Sequence, residues 1–250
     1  MDPRFQIRVV ADDDFPELIE SLWEAFENPY QGVLRLFFPV LDNDRQRSLQ
    51  TCIANQLEEY HQEQPQLIWA TVVDTHANDR IAAAAKWYFY DHDPHAQSED
   101  HPLVADWYPE GVAREFATKA ARLFERPREQ LARRSHAFLH IAFTMPEYRR
   151  QGLGHLLMEW AIRKTDERGL EAWLDASEFG RPLYEKFGFR KVLVNPVQPV
   201  SDRVLTEEEK AEWEVCEKSL LPIVYTVMWR PPQGLYVEGQ TPVPWKVEAM

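Results

Sequence analysis

The sequence predicts an α/β (α+β) protein, and three features point to this fold class. Residues 5–9 alternate between apolar and polar side chains, as a half-buried strand does. Residues 67–74 and 80–90 form two β-rich segments around a turn at Asn78-Asp79. Residues 137–144 form an apolar run that leads through a glycine-bearing turn into an amphipathic stretch. Strands and helices are therefore interleaved along the chain.

Two helices are predicted between the first strand and the strand pair. Residues 12–14 supply N-cap candidates for a helix whose apolar face carries Leu18, Ile19, Leu22, Trp23 and Phe26. Residues 28–39 are rich in aromatic side chains and predict a loop. A second helix is expected to begin at Asp42 or Asn43, with its inner face formed by Leu49, Cys52, Ile53 and Leu57.

The segment 91–135 opens with a polar, proline-bearing stretch. Its three histidines lie among acids at a spacing that matches no known zinc site, so the composition favours a solvated loop over a metal site: His92, His95 and His101. Helical spacing follows at Val112, Phe116, Ala120 and Phe124. Pro127 suits the first turn of a helix, which predicts that a further short helix begins there.

Most of the functional signal lies in residues 137–190. Residues 137–144 predict a strand that is buried on both faces, and the basic turn 149–154 follows it. A helix is then predicted from near Gly154 to Gly169. A strand that turns into a helix leaves unpaired N–H groups at the positive end of the helix dipole, which favours an anion site. A glycine-rich connection that binds nothing is the alternative.

Two named phosphate motifs fit this turn less well. A P-loop requires a lysine after its last glycine, and no lysine follows Gly154. A dinucleotide fingerprint requires a third small residue, where this chain has Leu157. Because Asp175 lies at the distance expected of a ribose-binding acid, dinucleotide binding stays open as a minor alternative.

The same residues resemble the GNAT superfamily of acetyl-CoA-dependent N-acetyltransferases, and most of all its fungal small-molecule type. The pyrophosphate loop of that family has Gln or Arg, two residues, Gly, one residue, then Gly or Ala, and Arg149, Gly152 and Gly154 fill this pattern. A later family segment ends Tyr-x-x-x-Gly-Phe, which residues 183–189 resemble. Two motifs at the expected separation are more specific than either one alone.

The resemblance implies a GNAT-like mixed, mostly antiparallel central sheet with helices on both faces. We expect a single N-acetyltransferase domain over 1–230, with a helical insertion at about 91–135 that borders the substrate pocket. Residues 231–250 hold four prolines and predict a tail over the surface. The chain departs from the family pattern at Ser177 and Gly180, where many members have Asn and Ala.

Acetyl-CoA as co-substrate is a further implication of the resemblance. The basic turn would hold the pyrophosphate, while backbone groups of the preceding strand would pair with the pantetheine arm and supply an oxyanion donor. That role requires the strand to separate from its neighbour. The residues expected to contact acetyl-CoA are Ala142, Phe143, Thr144, Arg149, Arg150, Gln151, Gly152, Leu153, Gly154, His155, Ser177 and Tyr184. No metal is expected.

Three residues are candidates for proton transfer. Tyr184 matches the acid of the family, which protonates the departing thiolate; the alternative is a tyrosine packed in a helix. His140 shares a strand face with Ala142 and Thr144 and is the first candidate for the general base, although a core histidine is the alternative. Asp175 is the second candidate, and its alternative role is to cap a helix over residues 178–187.

The C-terminal part of the chain adds a strand over 189–194. Thr206 and Glu209 form a capping box for an acidic helix that runs to about Glu217. Residues 223–229 then form a final strand.

The bulk composition restricts the class of partner and the compartment. Asp and Glu total 41 against 28 Lys and Arg, which gives a net charge of −13. This charge disfavours nucleic acid and anionic membranes and favours a cationic substrate. Two distant cysteines, Cys52 and Cys216, indicate reduced thiols. With no signal-peptide core and no membrane-length apolar window, a cytoplasmic protein is expected, either a monomer or a homodimer.

The resulting interpretation is an N-acetyltransferase that moves the acetyl group of acetyl-CoA directly to a primary amine of a small molecule, of the amino acid, polyamine, toxin or antibiotic class. Four aromatic strand residues are candidates for the lining of its pocket, although alternating aromatic residues in a strand more often belong to the core: Trp69, Trp87, Tyr88 and Tyr90. A peptide or protein N-terminal or lysine acetyltransferase is one alternative. A non-catalytic acyl-CoA sensor is the alternative from another class.

Overall fold

A seven-stranded sheet lies at the centre of the structure, a computed structural model that describes residues 4–96 and 102–245. The strand order is β1-β2-β3-β4-β5-β7-β6. β4 and β5 are parallel, whereas every other neighbouring pair is antiparallel. The strands are β1 (Phe5–Val9), β2 (Leu67–Asp74), β3 (Arg80–Tyr90), β4 (His136–Thr144), β5 (Glu171–Ala176), β6 (Arg190–Val197) and β7 (Ile223–Arg230). The predicted mixed, mostly antiparallel sheet is confirmed.

Helices cover both faces of this sheet. They are α1 (Phe15–Glu27), α2 (Gly32–Phe37), α3 (Arg45–Gln62), α4 (Val112–Leu131), α5 (Leu153–Glu167), α6 (Arg181–Lys186) and α7 (Glu207–Leu220). Because Tyr88 donates a hydrogen bond to Glu59 of α3, α3 lies over the face that Tyr88 occupies. Arg168, just after α5, lies 4.6 Å from the ring centre of Phe89, so α5 covers the opposite face.

Five tryptophans fill the core around the sheet and expose 0–1 % of their surface: Trp23, Trp69, Trp87, Trp173 and Trp229. Their buried apolar area is a large part of the hydrophobic stabilisation of the fold. Trp69 and Trp87 are therefore core residues, which is the alternative that the sequence favours for them. Tyr88 exposes 8 % of its surface and Tyr90 is half-buried.

The predicted loop over residues 28–39 contains the short helix α2. The following helix begins three residues later than Asp42, because Asp42 and Asn43 adopt left-handed backbone conformations with φ of 54° and 56°. Such conformations suit a turn and not a helix. Asp44 is the N-cap, and its carboxylate accepts a hydrogen bond from the Arg47 N–H over 2.9 Å.

Pro127 does not begin a new helix, because α4 continues through it from Val112 to Leu131. Proline lacks the N–H that would bond to the carbonyl of Leu123 one turn earlier. The side chain of Asn195 in β6 donates to that carbonyl over 2.9 Å instead. Tyr225 of β7 donates to the neighbouring carbonyl of Phe124. The sheet thus compensates for the proline within the helix.

Other element boundaries differ by a few residues from their predictions. α6 is limited to Arg181–Lys186, whereas a helix over 178–187 was expected. β6 extends to Val197 and α7 to Leu220, past the predicted ends. The predicted capping box of Thr206 and Glu209 is present at the start of α7.

Part of the predicted tail packs against the sheet. The ring of Trp245 lies 5.4 Å from Trp229 and 6.4 Å from Trp173, and Tyr236 lies 6.5 Å from Trp229. Residues 246–250 lie outside the described chain. None of the described helices is long and apolar enough to span a membrane.

Candidate functional site

The two parallel strands at the centre of the sheet separate partway along their length. β4 pairs with β5 from His136 opposite Glu171 to Leu139 opposite Leu174, and the pairing ends there. Beyond this point residues 141–144 of β4 pair only with β3, and the end of β5 pairs with β7. The separation that a pantetheine site requires is therefore present. We call the opening the β4–β5 gap.

The β4–β5 gap leaves one edge of β4 without a strand partner. Ala142 is exposed, and Thr144 is half-buried. The prediction that 137–144 is buried on both faces is therefore wrong for its second half, because His140 and Ala142 are exposed on one face of the strand. Backbone N–H and C=O groups on a free strand edge are ready to pair with the amide groups of an extended ligand. Ala142, Phe143 and Thr144 thus fit their expected role toward a pantetheine arm.

The basic turn connects the end of β4 to α5. Gly152 is the N-cap of α5 with φ of 86°, a left-handed conformation that favours glycine, and no atom lies within 4 Å of where its Cβ would be. Leu153 and Gly154 are the first residues of α5, so their N–H groups have no acceptor within the helix. The turn therefore offers open space and unpaired donors to a phosphate, as a pyrophosphate site requires.

The two arginines of this turn differ in their contacts. Arg149 is half-buried and donates to the carbonyl of Thr144 over 3.2 Å and to that of Ala25 in α1 over 2.9 Å. Arg150 is exposed, with φ of 63°. Arg149 therefore ties the end of β4 to α1, and Arg150 is the arginine of this turn whose charge faces solvent.

Other residues predicted to contact acetyl-CoA lie around the turn. Gln151 is exposed and donates to the carbonyl of Glu147 over 3.0 Å. His155 is exposed, 3.3 Å from Glu159 and with its ring 4.8 Å from that of Phe187. Leu153 is buried and serves packing. A Cβ on Gly154 would lie 3.0 Å from Leu183 Cδ2, so Gly154 also permits α5 to approach α6.

Ser177 and Gly180 shape the approach to α6. The Ser177 hydroxyl accepts a hydrogen bond from the Gly180 N–H over 3.1 Å, so the serine turns the chain into α6. A Cβ on Gly180 would lie 2.9 Å from Cε2 of Tyr184. The departure from the family pattern at Gly180 therefore makes room for the Tyr184 ring.

Tyr184 is half-buried, and its ring lies 6.1 Å from that of Phe189. Among the described residues, no side chain or backbone group forms a hydrogen bond with its hydroxyl. Burial raises the pKa of Tyr184 to about 12. The phenol is therefore protonated at neutral pH and available as a proton donor.

His140 lies at a β-bulge in β4. Lys86 of β3 pairs with Ile141 and Trp87 pairs with Leu139, so His140 is the extra residue between them. Its side chain is exposed on the open side, and its ring lies 5.7 Å from that of Tyr88. Desolvation by the surrounding protein atoms lowers the pKa of His140 well below its usual range, and the positive charges of Lys86 and Arg128 lower it further. The imidazole is therefore neutral at pH 7 and able to accept a proton.

Asp175 follows the last paired residue of β5 and is half-buried. Burial raises the pKa of its carboxyl to about 7, although the Arg128 charge opposes this shift. Within the described parts of the chain, no group forms a hydrogen bond with this carboxyl, so the alternative role as a helix cap is not observed. A carboxyl that titrates near neutrality is suited to proton transfer.

A buried polar network lies beside His140 and was not predicted. Lys86 exposes 1 % of its surface, pairs with Glu59 over 2.7 Å and donates to Gln56 over 3.0 Å. Glu59 also accepts a hydrogen bond from Tyr88. A lysine inside the apolar run of β3 was the available signal, because buried charges require partners. This network fixes the ring that contacts His140.

The candidate metal stretch gives no site in the described chain. Over residues 4–96 and 102–245 no group of three or more His, Cys, Asp or Glu side chains is arranged to hold a metal ion. His101 lies outside these residues. His95 is close to His136 instead, with ring centres 6.5 Å apart.

A groove on the surface lies away from these residues. It has a volume of about 880 Å³ and follows the outer side of α5, with Leu156, Trp160, Arg163 and Phe187 in its walls. His140, Asp175 and Tyr184 are not part of it. The β4–β5 gap, and not this groove, is therefore the candidate active site.

Comparison with known families supports this assignment. Residues 129–199 match the family model described as the acetyltransferase (GNAT) domain. The match includes β4, the basic turn, α5, β5 and α6, and therefore every candidate site residue. No curated protein sequence matches the chain significantly.

Solved structures resemble the whole chain in fold. A mosquito arylalkylamine N-acetyltransferase-like protein is 17 % identical with a TM-score of 0.57, and covers 90 % of this chain and 99 % of its own. A polyamine N-acetyltransferase from Drosophila melanogaster is 14 % identical with a TM-score of 0.54, covering 90 % and 97 %. A protein from Corynebacterium glutamicum, titled as a histone acetyltransferase and related acetyltransferase, is 19 % identical with a TM-score of 0.55, covering 92 % and 97 %.

At these identities the structural likeness shows the fold, and the family model supplies the sequence evidence. The predicted fold class and enzyme class are confirmed, whereas the fungal subgroup stays a prediction. The family model thus matches an acetyltransferase (GNAT) domain over residues 129–199, where the motifs lie, and the chain shares its fold with solved acetyltransferases.

Proposed function

We propose that this chain transfers the acetyl group of acetyl-CoA directly to a primary amine of a small molecule. The observation that carries the proposal is the β4–β5 gap, where His140 and Asp175 follow the last paired residues of the two strands. The free edge of β4 leads from these residues to the basic turn. One site thus combines donors for a phosphate, a strand edge for an extended arm and two groups able to accept a proton.

Acetyl-CoA would be held by backbone groups. The N–H groups at the start of α5 and the exposed Arg150 would bind the pyrophosphate. The open edge at Ala142, Phe143 and Thr144 would pair with the amides of the pantetheine arm. Acetyl-CoA supplies a thioester, whose carbonyl carbon is open to attack by an uncharged amine.

His140 is proposed to take the proton from the incoming ammonium. Its lowered pKa keeps the imidazole neutral at pH 7, and its exposed position leaves it accessible to an amine. Asp175 is the second candidate for this role, because its pKa of about 7 makes half of its carboxyl groups basic at neutral pH. The neutral amine then attacks the carbonyl carbon to form the C–N bond. The C–S bond breaks as the tetrahedral intermediate collapses, and the nitrogen loses one further proton to solvent to give the amide.

Tyr184 is proposed to protonate the departing thiolate. Its pKa of about 12 keeps the proton on the phenol until a strong base approaches. A backbone N–H on the free edge of β4 would stabilise the negative charge that develops on the carbonyl oxygen. Cofactor binding, deprotonation of the amine, stabilisation of the oxyanion and protonation of the thiolate therefore each have a candidate group in or beside the β4–β5 gap.

A small amine is favoured over a peptide acceptor. The structures of similar fold include a protein titled as arylalkylamine N-acetyltransferase like and one titled as a polyamine N-acetyltransferase. The net charge of −13 also favours a cationic acceptor. Because one structure of similar fold is titled as a histone acetyltransferase, peptide substrates are included in the test.

The test is acetyl-CoA binding by calorimetry, followed by release of free thiol in the presence of small amines or of peptides with free N-termini or lysines. Binding with thiol release from small amines alone is the expected result. Release only with peptides would overturn the small-molecule assignment. Binding without release from any acceptor would contradict catalysis and favour an acyl-CoA sensor.

A further inference from the structure

The ring of His140 lies between two other aromatic rings. Its centre is 5.7 Å from that of Tyr88 in β3, with 70° between the ring planes, and 5.9 Å from that of Phe138 in β4, with 44° between them. Aromatic pairs attract each other at such distances. Tyr88 and Phe138 are buried and lie opposite each other in the sheet, whereas His140 is exposed. The imidazole therefore rests against two buried rings and keeps part of its surface open.

The β-bulge makes these two rings important for the orientation of His140. Lys86 pairs with Ile141 and Trp87 pairs with Leu139, so no residue of β3 lies opposite His140. The extra residue of a bulge is left unpaired in the ladder. The pairing of β4 with β5 also ends at Leu139. The orientation of the imidazole therefore depends on the side chains that it contacts.

Tyr88 is restrained at its hydroxyl. It donates a hydrogen bond to Glu59 of α3, and the same carboxylate pairs with Lys86 over 2.7 Å. The ring of Tyr90 stacks on that of Tyr88, with ring centres 5.4 Å apart and planes 7° apart. A tyrosine that is held at its hydroxyl and stacked on a neighbour has little freedom to turn. Its ring is therefore a fixed support for His140.

Packing alone does not explain why this support is a tyrosine. Lys86 is almost fully buried and Glu59 is half-buried, so their charges carry a desolvation cost. Apolar side chains of similar volume are often as stable as a buried ion pair, or more stable. A phenylalanine in place of Tyr88 would fill the same space and require no partner. The cost of this polar group points to a role beyond stability, and the ring that the group restrains lies beside His140.

Phe138, the second ring, is covered by a cation from α4. The guanidinium carbon of Arg128 lies 4.2 Å from the centre of the Phe138 ring, and Arg128 pairs with Glu125 of the same helix. A cation over the face of an aromatic ring is attracted to it. One neighbour of His140 is therefore restrained by α3 and the other by α4.

We propose that Tyr88 is a positioning residue for His140: its ring, restrained by Glu59, keeps the imidazole directed toward the acceptor in the β4–β5 gap. The inference rests on the proposed acetyl transfer with His140 as the base. Tyr88 acts through His140 and does not itself take the proton, because its hydroxyl is engaged with Glu59. A base must lie within hydrogen-bond reach of the proton that it removes, and a displacement of about 1 Å can lower the rate about 10²-fold.

The experiment compares Tyr88→Phe with Tyr60→Phe. Both tyrosines are buried, and each variant keeps the ring but loses one hydrogen bond, from Tyr88 to a carboxylate and from Tyr60 to a backbone carbonyl. The two variants should therefore lower Tm to a similar extent. The ring of Tyr60 packs against Phe15 instead of His140, so Tyr60→Phe is the control for loss of stability.

Two readouts are measured on each variant. The kcat, the KM for acetyl-CoA and the KM for the amine come from thiol release with a primary amine that the wild type acetylates. The nuclear Overhauser effect between the rings of His140 and Tyr88, or of the phenylalanine that replaces Tyr88, reports their contact in solution. The His140 signals are assigned by their loss in His140→Gln. The NMR readout requires no turnover, so it tests the contact separately from acetyl transfer.

Tyr88→Phe should lower kcat about tenfold or more while both KM values stay within about twofold, and it should reduce the Overhauser effect to about half or less. Tyr60→Phe should leave kcat, both KM values and the Overhauser effect unchanged. An equal loss of kcat in the two variants, an unchanged kcat in Tyr88→Phe, or a loss of kcat with an undiminished Overhauser effect would overturn the positioning role.

The failure of the proposed function would look different. A wild type that releases no thiol with any amine would contradict acetyl transfer. A weaker Overhauser effect in Tyr88→Phe would then still support the restraint of His140 through Tyr88 and Glu59, whereas an undiminished one would overturn it.

Discussion

His140 and Asp175 occupy the first positions beyond the last paired residues of the two parallel strands, Leu139 and Leu174. The Arg128 charge acts on both groups, lowering the pKa of each, although desolvation by the surrounding protein atoms has the larger effect on both. Desolvation disfavours the charged form of either group, so it lowers the pKa of the imidazole and raises that of the carboxyl. Two groups able to take a proton near neutral pH therefore lie where the strands separate.

The pH dependence of kcat/KM should identify the base. If His140 takes the proton, its lowered pKa places the acid limb well below pH 6.5. If Asp175 takes it, the limb lies near pH 7. We expect the acid limb at the lower of these two pH values. We also expect His140→Gln to lower kcat/KM by about 10²- to 10⁴-fold.

Asp175→Asn is the control for that profile. It should leave the acid limb at the same pH and should lower kcat/KM less than His140→Gln does. A limb near pH 7 that disappears in Asp175→Asn would show instead that the carboxylate is the base.

The Asp175 carboxyl should also make stability depend on pH. Its folded pKa of about 7 is above the ordinary 3.8, so the favourable contribution is fully present below about pH 4 and is lost as pH rises through 7. Asp175→Asn removes this dependence. Relative to wild type, the variant should gain roughly 1–3 kcal/mol between pH 4 and pH 8 in urea unfolding. A constant difference across that range would contradict the raised pKa.

Tyr184→Phe should lower kcat about 10²-fold or more and leave acetyl-CoA affinity within twofold. The hydroxyl has no hydrogen-bond partner among the described residues, so its removal should change the free energy of unfolding by less than about 1 kcal/mol. Stopped-flow thiol release and calorimetry separate the two effects. Undiminished turnover would show that Tyr184 does not take part in the reaction.

Gly180→Ala provides a companion variant for Tyr184. The added Cβ would lie 2.9 Å from Cε2 of the Tyr184 ring and must displace it. We expect a loss of kcat with the hydroxyl still present. An unaffected kcat would mean that the position of the ring is not important for proton transfer.

The two arginines of the basic turn should respond differently to replacement by alanine. Arg149→Ala loses hydrogen bonds to the carbonyls of Thr144 and Ala25, so it should cost about 1–3 kcal/mol of stability and lower Tm by about 2–12 °C. Arg150→Ala should leave Tm unchanged and weaken acetyl-CoA binding several-fold. Calorimetry and thermal unfolding of the pair check this. The opposite assignment would follow if Arg150→Ala lowered Tm and left binding intact.

Local sequence patterns predicted most of the elements correctly. Apolar alternation over residues 5–9 and the capping box of Thr206 and Glu209 depend on neighbours in sequence, and both are present in the structure. The turn 149–154 and the start of α5 were likewise predictable, because the glycine spacing and the helical spacing of the apolar residues that follow indicate where a helix begins.

Features that depend on distant contacts were not predicted. Pro127 stays inside α4 because Asn195, in a strand about 70 residues later, replaces the missing hydrogen bond. Arg149 serves packing because α1 presents the carbonyl of Ala25 to it. The polar network of Lys86 and Glu59 needs two elements that only the tertiary fold brings together. In each case the deciding partner is far away in sequence.

The most direct test of acetyl transfer is mass spectrometry of the products after incubation of the protein with acetyl-CoA and a set of small primary amines. Direct transfer predicts an amine that carries one acetyl group, formed in step with free CoA, and no acetyl group on the protein. Free CoA without an acetylated amine, or an acetyl group retained on a side chain of the protein, would contradict the proposed reaction.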